Sequence, residues 1–301
     1  MTTYQDLRAR LDRDEVIILD GATGTELQSR GVPMHGFAWS AAAIETHPET
    51  VRAVHEDYIR AGADVIISNT YSTAPHVLEA AGLGDRVAAL NRRAVALAQE
   101  ARENAAVGRP VAIAGALSSF RVSVTPTERL EDSYREQAEL LAEAGVDLIA
   151  LEMMSSPEQA APAIRAALAT GLPIWIGFSC RLAEDGTVEF FDGSPFVPGL
   201  TEDLALLADL PPGDVAVTVM HSLTEETAPA LEIVRRHWAG VTGAYAHSGR
   251  WVDPEWEFSD SISPEDYLSA AQRWVEMGAQ IIGGCCAIGP EYIHLLRERL
   301  T

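Results

Sequence analysis

Residues 147–179, DLIALEMMSSPEQAAPAIRAALATGLPIWIGFS, contain one complete strand–helix–strand unit. The short apolar run Asp147–Glu152 (DLIALE) predicts a buried strand. Ser156 and the proline after it are typical of a helix start, and we expect this helix to span Pro157–Thr170. Pro173–Ser179 (PIWIGFS) predicts the next strand. Two strands joined by a crossover helix favour a parallel pair.

The same alternation extends along the whole chain. Eight short runs predict strands: Val16–Asp20, Asp64–Asn69, Val111–Gly115, Asp147–Glu152, Pro173–Ser179, Val215–Met220, Val241–Ala246 and Ala279–Gly284. Eight segments predict helices: His47–Ala61, Asp85–Glu103, Pro126–Ala144, Pro157–Thr170, Thr201–Ala208, Leu223–His237, Ser263–Met277 and Pro290–Leu300. Eight alternating strands and helices predict an α/β fold, a (β/α)8 TIM barrel that forms a single domain over residues 1–301.

A doubly wound open sheet is the competing fold. It would place a glycine-rich phosphate loop after the first strand, but DGATGTEL at Asp20–Leu27 has neither the G-x-G-x-x-G spacing nor a P-loop lysine. Four longer irregular segments follow strands, so in a barrel they would share the C-terminal face that carries active sites. They are Gln28–Thr46, Leu117–Thr125, Arg181–Gly199 and Ser248–Ile262.

Composition limits the classes of partner. The chain has 301 residues, 47% of them hydrophobic, and 44 acidic against 22 basic residues give a net charge of −22. Because no basic stripe is present, we expect neither nucleic acid nor a membrane as a partner. The polar N-terminal residues contain no apolar signal region, which favours a cytoplasmic protein. Three cysteines argue against a disulfide framework, and the oligomeric state stays open.

Polar side chains follow most of the predicted strands. Each alone has an ordinary explanation, such as a helix cap, a barrel ion pair or a hydrogen-bonded core histidine. In a barrel, however, all of them would converge on one crevice. They are Asp20, Asn69, Glu152, Ser179, Cys180, His221, His247, Cys285 and Cys286.

Two of the three cysteines are adjacent, in the stretch Ile281–Pro290 (IIGGCCAIGP). Neighbours on a regular strand point to opposite faces, but the glycine pair before Cys285 and Cys286 permits another backbone path. Together with His221, which follows the sixth strand, they would give zinc an imidazole and two thiolates and leave a fourth position open. There are two alternatives to a zinc site. The two cysteines would be small side chains packed in the core, or they would form a vicinal pair in a metal-free binding or redox barrel.

Five segments in the same order resemble the homocysteine S-methyltransferase family over nearly the whole chain. They are DGATGTEL at Asp20–Leu27, W-S-A-x-x-x-x-x-H-P-E at Trp39–Glu49, AGADVIISNTY at Ala61–Tyr71, LIALE at Leu148–Glu152, and GGCC followed by x-x-x-P-E-x-I at Gly283–Ile293. The resemblance implies a (β/α)8 barrel, a zinc ion bound by three cysteines, and methyl transfer to the sulfur of homocysteine.

The resemblance also implies roles for individual residues. Cys285 and Cys286 match the paired zinc ligands, and His221 stands where the family's first cysteine is expected. Cys180 is out of register with that position and is left out of the ligand set. Asp20 and Glu152 match acidic positions that hold the homocysteine ammonium, and we expect them to be the catalytic acids. The implied substrate-binding residues are Asp20, Gly21, Trp39, Asn69, Tyr71, Glu152 and His247.

Two departures from the family pattern concern the acceptor. Ala287, Ile288 and Gly289 replace the usual threonines, and Tyr245–Gly249 (YAHSG) replaces Y-P-N-x-G. A different thiol or a selenol is therefore an alternative acceptor. No cobalamin or folate module is present, so we expect a small sulfonium donor, S-methylmethionine or S-adenosylmethionine, with a betaine as the alternative. Trp39 and Tyr71 would present aromatic faces to such a cation.

Overall fold

The structure is a computed structural model and describes residues 3–122, 127–208, 210, 213–252 and 255–301. Its strands are β1 (Ile17–Ile18), β2 (Val65–Ile67), β3 (Ala112–Ser118), β4 (Leu148–Met154), β5 (Ile174–Phe178), β6 (Cys180–Leu182), β7 (Val188–Phe190), β8 (Val215–Met220), β9 (Val241–Tyr245), β10 (Arg250–Val252), β11 (Glu255–Glu257) and β12 (Ile281–Ile282). Each of the eight runs predicted from the sequence overlaps one of these strands, and β3 and β4 extend beyond their predicted ends, to Ser118 and Met154.

Eight strands form one parallel sheet, in the order β1-β12-β9-β8-β5-β4-β3-β2. The ends of this sheet meet, because Leu19 bridges Val65 in parallel fashion and the Asp20 main-chain N–H donates to the Val65 carbonyl over 3.0 Å. The sheet therefore closes on itself. The predicted (β/α)8 barrel, a single domain, is confirmed.

The helices are α1 (Thr3–Leu11), α2 (Thr23–Ser29), α3 (Ala43–Thr46), α4 (Pro48–Ala61), α5 (Pro75–Ala80), α6 (Val87–Ala105), α7 (Thr127–Ala144), α8 (Pro157–Ala169), α9 (Phe196–Ala205), α10 (Thr224–His237), α11 (Pro264–Glu276) and α12 (Pro290–Leu300). Seven predicted helices begin and end within about two residues of these bounds. The eighth, predicted at Thr201–Ala208, begins five residues earlier, at Phe196. Of the helices in the described ranges, none is long and apolar enough to cross a membrane.

Alternation along the strands separates two hydrophobic cores. Ile17 and Leu19 point into the barrel, whereas Ile18 between them faces the surrounding helices. The same division separates Ala112 and Ala114 from Ile113. Successive side chains of a strand point to opposite faces, so one run of apolar residues contributes side chains both to the barrel interior and to the layer between sheet and helices.

Helix α1 covers the N-terminal end of the barrel, and sequence reasoning missed it. Tyr4, Leu7 and Leu11 are buried against the residues inside the barrel. The Tyr4 hydroxyl donates to the Gly213 carbonyl over 3.0 Å, and the Gln280 side chain donates to the Leu11 carbonyl over 2.8 Å. The helix therefore fills what would otherwise be an open lower end of the barrel.

A buried carboxylate lies beside this lower end. Asp64, just before β2, is 3% exposed. Arg10 donates to both of its oxygens, over 2.7 and 3.1 Å, and Arg297 donates to both over 3.2 and 3.0 Å. The main-chain N–H of Ile18 adds a bond of 3.0 Å. Asp64 thus joins α1, α12 and the first strand.

The C-terminal face carries the longer segments. Strands β6 and β7 form one antiparallel hairpin and β10 and β11 form another, both in segments predicted as irregular. The segment predicted at Gln28–Thr46 contains α3 and a short 3-10 helix, Ser40–Ala42. In the segment predicted at Leu117–Thr125, the first two residues belong to β3, and residues 123–125 lie outside the described residues.

Candidate active site

A cleft of about 550 Å3, partly open to solvent, lies among the strand ends on the C-terminal face. Eight of the ten residues that the sequence suggested for the site line it: Gly21, Trp39, Asn69, Tyr71, Glu152, His221, Cys285 and Cys286. The other two, Asp20 and His247, are buried and lie behind this lining. The strand-end residues therefore share one face of the barrel.

His221, Cys285 and Cys286 form a compact group of soft and borderline ligand atoms. One ligand atom from each residue lies within 4.8 Å of the other two. The Cys285 Sγ is 3.5 Å from the His221 Nδ1 and 3.9 Å from the Cys286 Sγ. Burial lowers the pKa of His221 well below its ordinary value, with His247 adding to the shift, so the imidazole is neutral. A neutral imidazole is the form that ligates a metal.

Backbone geometry brings the adjacent thiols together. Residues after Ile282 leave the regular strand, and the Gly284 N–H donates to the Asp20 carbonyl over 3.0 Å. A Cβ on Gly283 would lie 2.6 Å from the Leu19 Cβ, and one on Gly284 would lie 2.2 Å from an Ile288 carbon. Only glycine permits so close an approach at these two positions. The glycine pair therefore sets the position of both thiols.

His221, the third residue of this group, has an unusual backbone as well. His221 directly follows β8 and has φ of 47°, a left-handed value that is uncommon for residues other than glycine, although histidine adopts it more often than most. The end of β8 is tied to that of β9, since the His247 N–H donates to the Ser222 carbonyl over 3.1 Å. Left-handed backbone at non-glycine residues is concentrated at functional sites.

Two buried acids lie close to one another beside the ligand group. Asp20 Oδ2 accepts a hydrogen bond of 2.8 Å from the Ile67 N–H, while its Oδ1 is buried with no hydrogen-bond partner among the described residues. Burial raises the pKa of Asp20 well above its ordinary value, and the nearby Glu152 charge adds to the rise. Burial alone raises the pKa of Glu152 to about 7. Such an orphaned acid is suited to bind a cationic group.

Glu152 does not form the ion pair that often explains an acid in a barrel: within the described residues no arginine or histidine is paired with it. The next residue, Met153, has φ of 56°, and the β4–β5 register shifts at this point. The Tyr71 hydroxyl donates to the Met153 Sδ over 3.0 Å. The irregular end of β4 thus places an uncompensated acid in the cleft lining and a thioether against Tyr71.

Two aromatic residues of the cleft lining, Trp39 and Tyr71, belong to a larger cluster of aromatic rings. The Trp39 ring centroid lies 6.0 Å from that of Tyr71, 6.3 Å from Phe120 and 6.0 Å from Trp251. Trp256 follows Trp251 across the β10–β11 hairpin, at 6.4 Å. Sequence reasoning named only Trp39 and Tyr71. The other three belong to segments predicted as irregular, where no pattern indicated their direction.

Two other predicted residues have structural partners. Asn69 uses its amide on one neighbour, accepting from the Ser40 hydroxyl over 2.8 Å and donating to the Ser40 carbonyl over 3.1 Å, so it fixes the loop that carries Trp39. Cys180 is fully buried in the outer hydrophobic core. It is not part of the ligand group, in keeping with its omission from the predicted ligands.

Comparisons with known proteins agree with this geometry. The family model described as Homocysteine S-methyltransferase matches residues 17–300. A homocysteine S-methyltransferase of Escherichia coli K12 is 32% identical, with 99% of this chain and 100% of the relative covered. A selenocysteine methyltransferase of Astragalus bisulcatus is 27% identical over 94% of this chain and 92% of the relative.

A solved structure extends the likeness to three dimensions. The metallated form of the homocysteine methyltransferase MmuM from E. coli superposes with a TM-score of 0.79 at 30% identity, covering 97% of this chain and 99% of that one. The match includes the barrel and the ends of its strands, and a related protein of the same fold carries metal. The chain belongs to the homocysteine S-methyltransferase family and is a methyltransferase, as the sequence motifs predicted.

Proposed function

We propose that this protein is a zinc-dependent enzyme that transfers a methyl group from a small sulfonium donor, S-methylmethionine or S-adenosylmethionine, to the thiol of homocysteine. The observation that carries the proposal is the spacing within the His221, Cys285 and Cys286 group. Bonds of ~2.3 Å to sulfur and ~2.0 Å to nitrogen at tetrahedral angles separate two ligand atoms by ~3.8 Å for S and S and ~3.5 Å for S and N. The observed separations are 3.9 and 3.5 Å.

A zinc ion bound there would hold a substrate thiol as its thiolate at the fourth position. Without the metal, a thiol with a pKa of ~8.5 is mostly protonated at neutral pH. His221 in place of a cysteine makes the ligand set less negative by one charge. The thiolate then forms more readily but is less electron-rich, so this replacement is compatible with methyl transfer.

The other residues of the cleft fit the two substrates. Asp20 and Glu152 would bind the homocysteine ammonium, since both are buried and Asp20 Oδ1 has no partner of its own. Trp39 and Tyr71, which both line the cleft, would present their rings to the positively charged donor, because aromatic faces attract cations. The carboxylates thus orient the acceptor while the aromatic rings orient the methyl group.

A selenol acceptor is the second candidate. The specific observation is the turn at Ala287, with φ of 62°, which presents no hydroxyl group at the position where the family has threonines. The 27% identical relative is named a selenocysteine methyltransferase. A selenol ionises more readily than a thiol, so it would depend less on the electron density that His221 removes.

The test is a set of parallel reactions with the zinc-loaded protein. Homocysteine and selenocysteine are each incubated with S-methylmethionine, S-adenosylmethionine or glycine betaine, and the methylated products are quantified by mass spectrometry. We expect methionine from homocysteine with a sulfonium donor. Products from selenocysteine alone would favour the second candidate, and product from betaine alone would contradict the proposed donor.

Two alanine variants provide matched controls for the metal. Cys285→Ala should lose bound zinc and nearly all activity, because one of three protein ligands is gone. Cys180→Ala removes a buried thiol outside the group and should retain zinc in an equimolar amount. If the wild-type protein held no metal but remained active, the zinc-dependent mechanism would be wrong.

A further inference from the structure

His247 packs directly against the proposed metal ligand His221. Their ring centroids are 4.7 Å apart, with the planes tilted by 40°. His247 is 8% exposed and also contacts Trp256, whose ring is 5.5 Å away at 88° and which contacts His221 as well. Trp256 is itself fixed, as its indole N–H donates to the Ser248 carbonyl over 2.8 Å. His247 therefore lies in a rigid position behind the ligand.

His247 is not itself one of the grouped ligands. Among the described residues, the set whose ligand atoms lie within 4.8 Å of one another contains His221, Cys285 and Cys286 and does not contain His247. Its Nδ1 is buried and has no hydrogen-bond partner in the part of the chain that the structure describes, so hydrogen bonding through that nitrogen does not account for its position. His247 contacts His221 in two ways, through a hydrogen bond to the His221 backbone and through the close approach of the two rings.

An imidazole ligand requires more positioning than a thiolate. A thiolate sulfur accepts a metal from many directions, whereas the imidazole lone pair lies in the ring plane and must point at the ion. His221 is surrounded by three rings: His247, Trp256 at 5.9 Å and Phe191 at 5.8 Å. These rings form a slot that fixes the rotation of the imidazole, and outer contacts of this kind tune metal ligands.

We propose that His247 is a positioning residue that orients His221, so that the His221 Nδ1, 3.5 Å from the Cys285 Sγ, faces the metal position. The inference rests on the metal site of the proposed function. It also connects two departures from the family pattern, since histidine at 221 and histidine at 247 are in contact. The two histidines act as one unit, and a thiolate at position 221 would not need the second.

The test is a double-mutant cycle read by metal affinity. Zinc dissociation constants are measured by competition with a chromophoric chelator for wild type, His247→Ala, His221→Cys and the double variant. We expect His247→Ala to weaken zinc binding roughly 10- to 100-fold in the wild-type background. In the His221→Cys background, we expect the same change to have less than a 3-fold effect.

A second readout separates orientation from folding. Cobalt-substituted His247→Ala should show a shifted visible ligand-field spectrum, while His247→Phe, which keeps a ring against His221, should restore most of the affinity and the wild-type spectrum. His294→Ala, an exposed histidine, controls for the loss of a histidine. Equal zinc affinity and spectrum in His247→Ala and wild type, or an equal loss in both backgrounds, would overturn the positioning role.

These outcomes are independent of catalysis. If the metal-loaded wild type methylates no acceptor, the proposed function fails, but the coupling between positions 221 and 247 still stands on the affinities. If methionine forms and the coupling is absent, the proposed function stands and the positioning role fails.

Discussion

Asp64 and Asp20 are two buried acids at opposite ends of the same seam of the barrel. Asp64, at the N-terminal end, receives four hydrogen bonds from Arg10 and Arg297 and one from the Ile18 N–H. Asp20, at the C-terminal end, receives one from the Ile67 N–H and has an oxygen without a partner. The protein thus supplies hydrogen-bond partners to both carboxylate oxygens of Asp64 but to only one of those of Asp20.

This difference separates a stabilising residue from a binding residue. A buried charge is tolerated where the fold supplies its partners, and an orphaned one lowers stability unless a ligand supplies what is missing. We therefore expect residues on the N-terminal face of the barrel to stabilise the fold. We expect residues on the C-terminal face to bind substrates and to contribute less to stability.

Replacing Asp64 should give the largest effect. Asp64→Ala leaves Arg10 and Arg297 near the barrel without their carboxylate, so we expect the free energy of unfolding in urea to fall by about 3–5 kcal/mol. Asp57→Ala is the matched control, because its ion pairs with Arg30 and Arg60 are exposed and should change stability by about 1 kcal/mol or less. Similar losses in the two variants would contradict the distinction.

Asp20→Asn should have the opposite profile. The variant keeps the shape but removes a charge that would bind the ammonium, so kcat/KM for homocysteine should fall roughly 10- to 100-fold, about 1.5–3 kcal/mol. Stability in the absence of substrate should stay constant or rise, because an unpaired buried acid is gone. A loss of stability comparable to that of Asp64→Ala, with kcat/KM unchanged, would show that Asp20 is structural.

Asp203 tests whether every orphaned acid is a binding residue. It lies in α9, away from the cleft lining, its Oδ2 has no hydrogen-bond partner, and burial raises its pKa to about 8, with Glu202 and Glu158 adding to the rise. A raised pKa means that its contribution to stability is fully present below pH ~4 and is lost as the pH rises through about 8.

Asp203→Asn cannot ionise and should therefore be more stable than wild type at pH 8.5 by about 1–2 kcal/mol. The difference should disappear near pH 4, and kcat/KM should not change. Urea unfolding of both proteins at several pH values measures it. A pH-independent difference would mean that Asp203 does not titrate between these limits.

The barrel could be predicted because the same strand–helix pattern occurs eight times along the sequence. Each strand is a short apolar run and each crossover a helix with its own start signals, so errors at single boundaries did not change the topology. Helix α1 was missed although Tyr4, Leu7 and Leu11 have helical spacing, because polar residues between them dominate the segment. The β6–β7 hairpin was missed although Asp185-Gly186 is a strong turn signal.

The candidate site was predictable by residue type but not by geometry. Polar strand ends indicated Asn69, Glu152, His221, Cys285 and Cys286, and the family resemblance added Gly21, Trp39 and Tyr71, all of which line the cleft. The distance between His221 and Cys285, however, depends on a left-handed residue and on a glycine pair packed against Leu19. The contact between His221 and His247 depends on the tie between β8 and β9. Such non-local contacts have no sequence pattern of their own.

The pairing of β1 with β12 has a consequence for how the chain folds during synthesis. Ile17 pairs with Ile281, and the Leu11 carbonyl accepts a hydrogen bond from the Gln280 side chain, 269 positions later in the sequence. At 5–20 residues per second, a ribosome needs roughly 10–60 s to make the intervening chain. The first strand spends that time with one edge unpaired, which exposes an aggregation-prone surface. The barrel can therefore close only after β12 has been synthesised, when the free edge of β1 and the Leu11 carbonyl receive their partners.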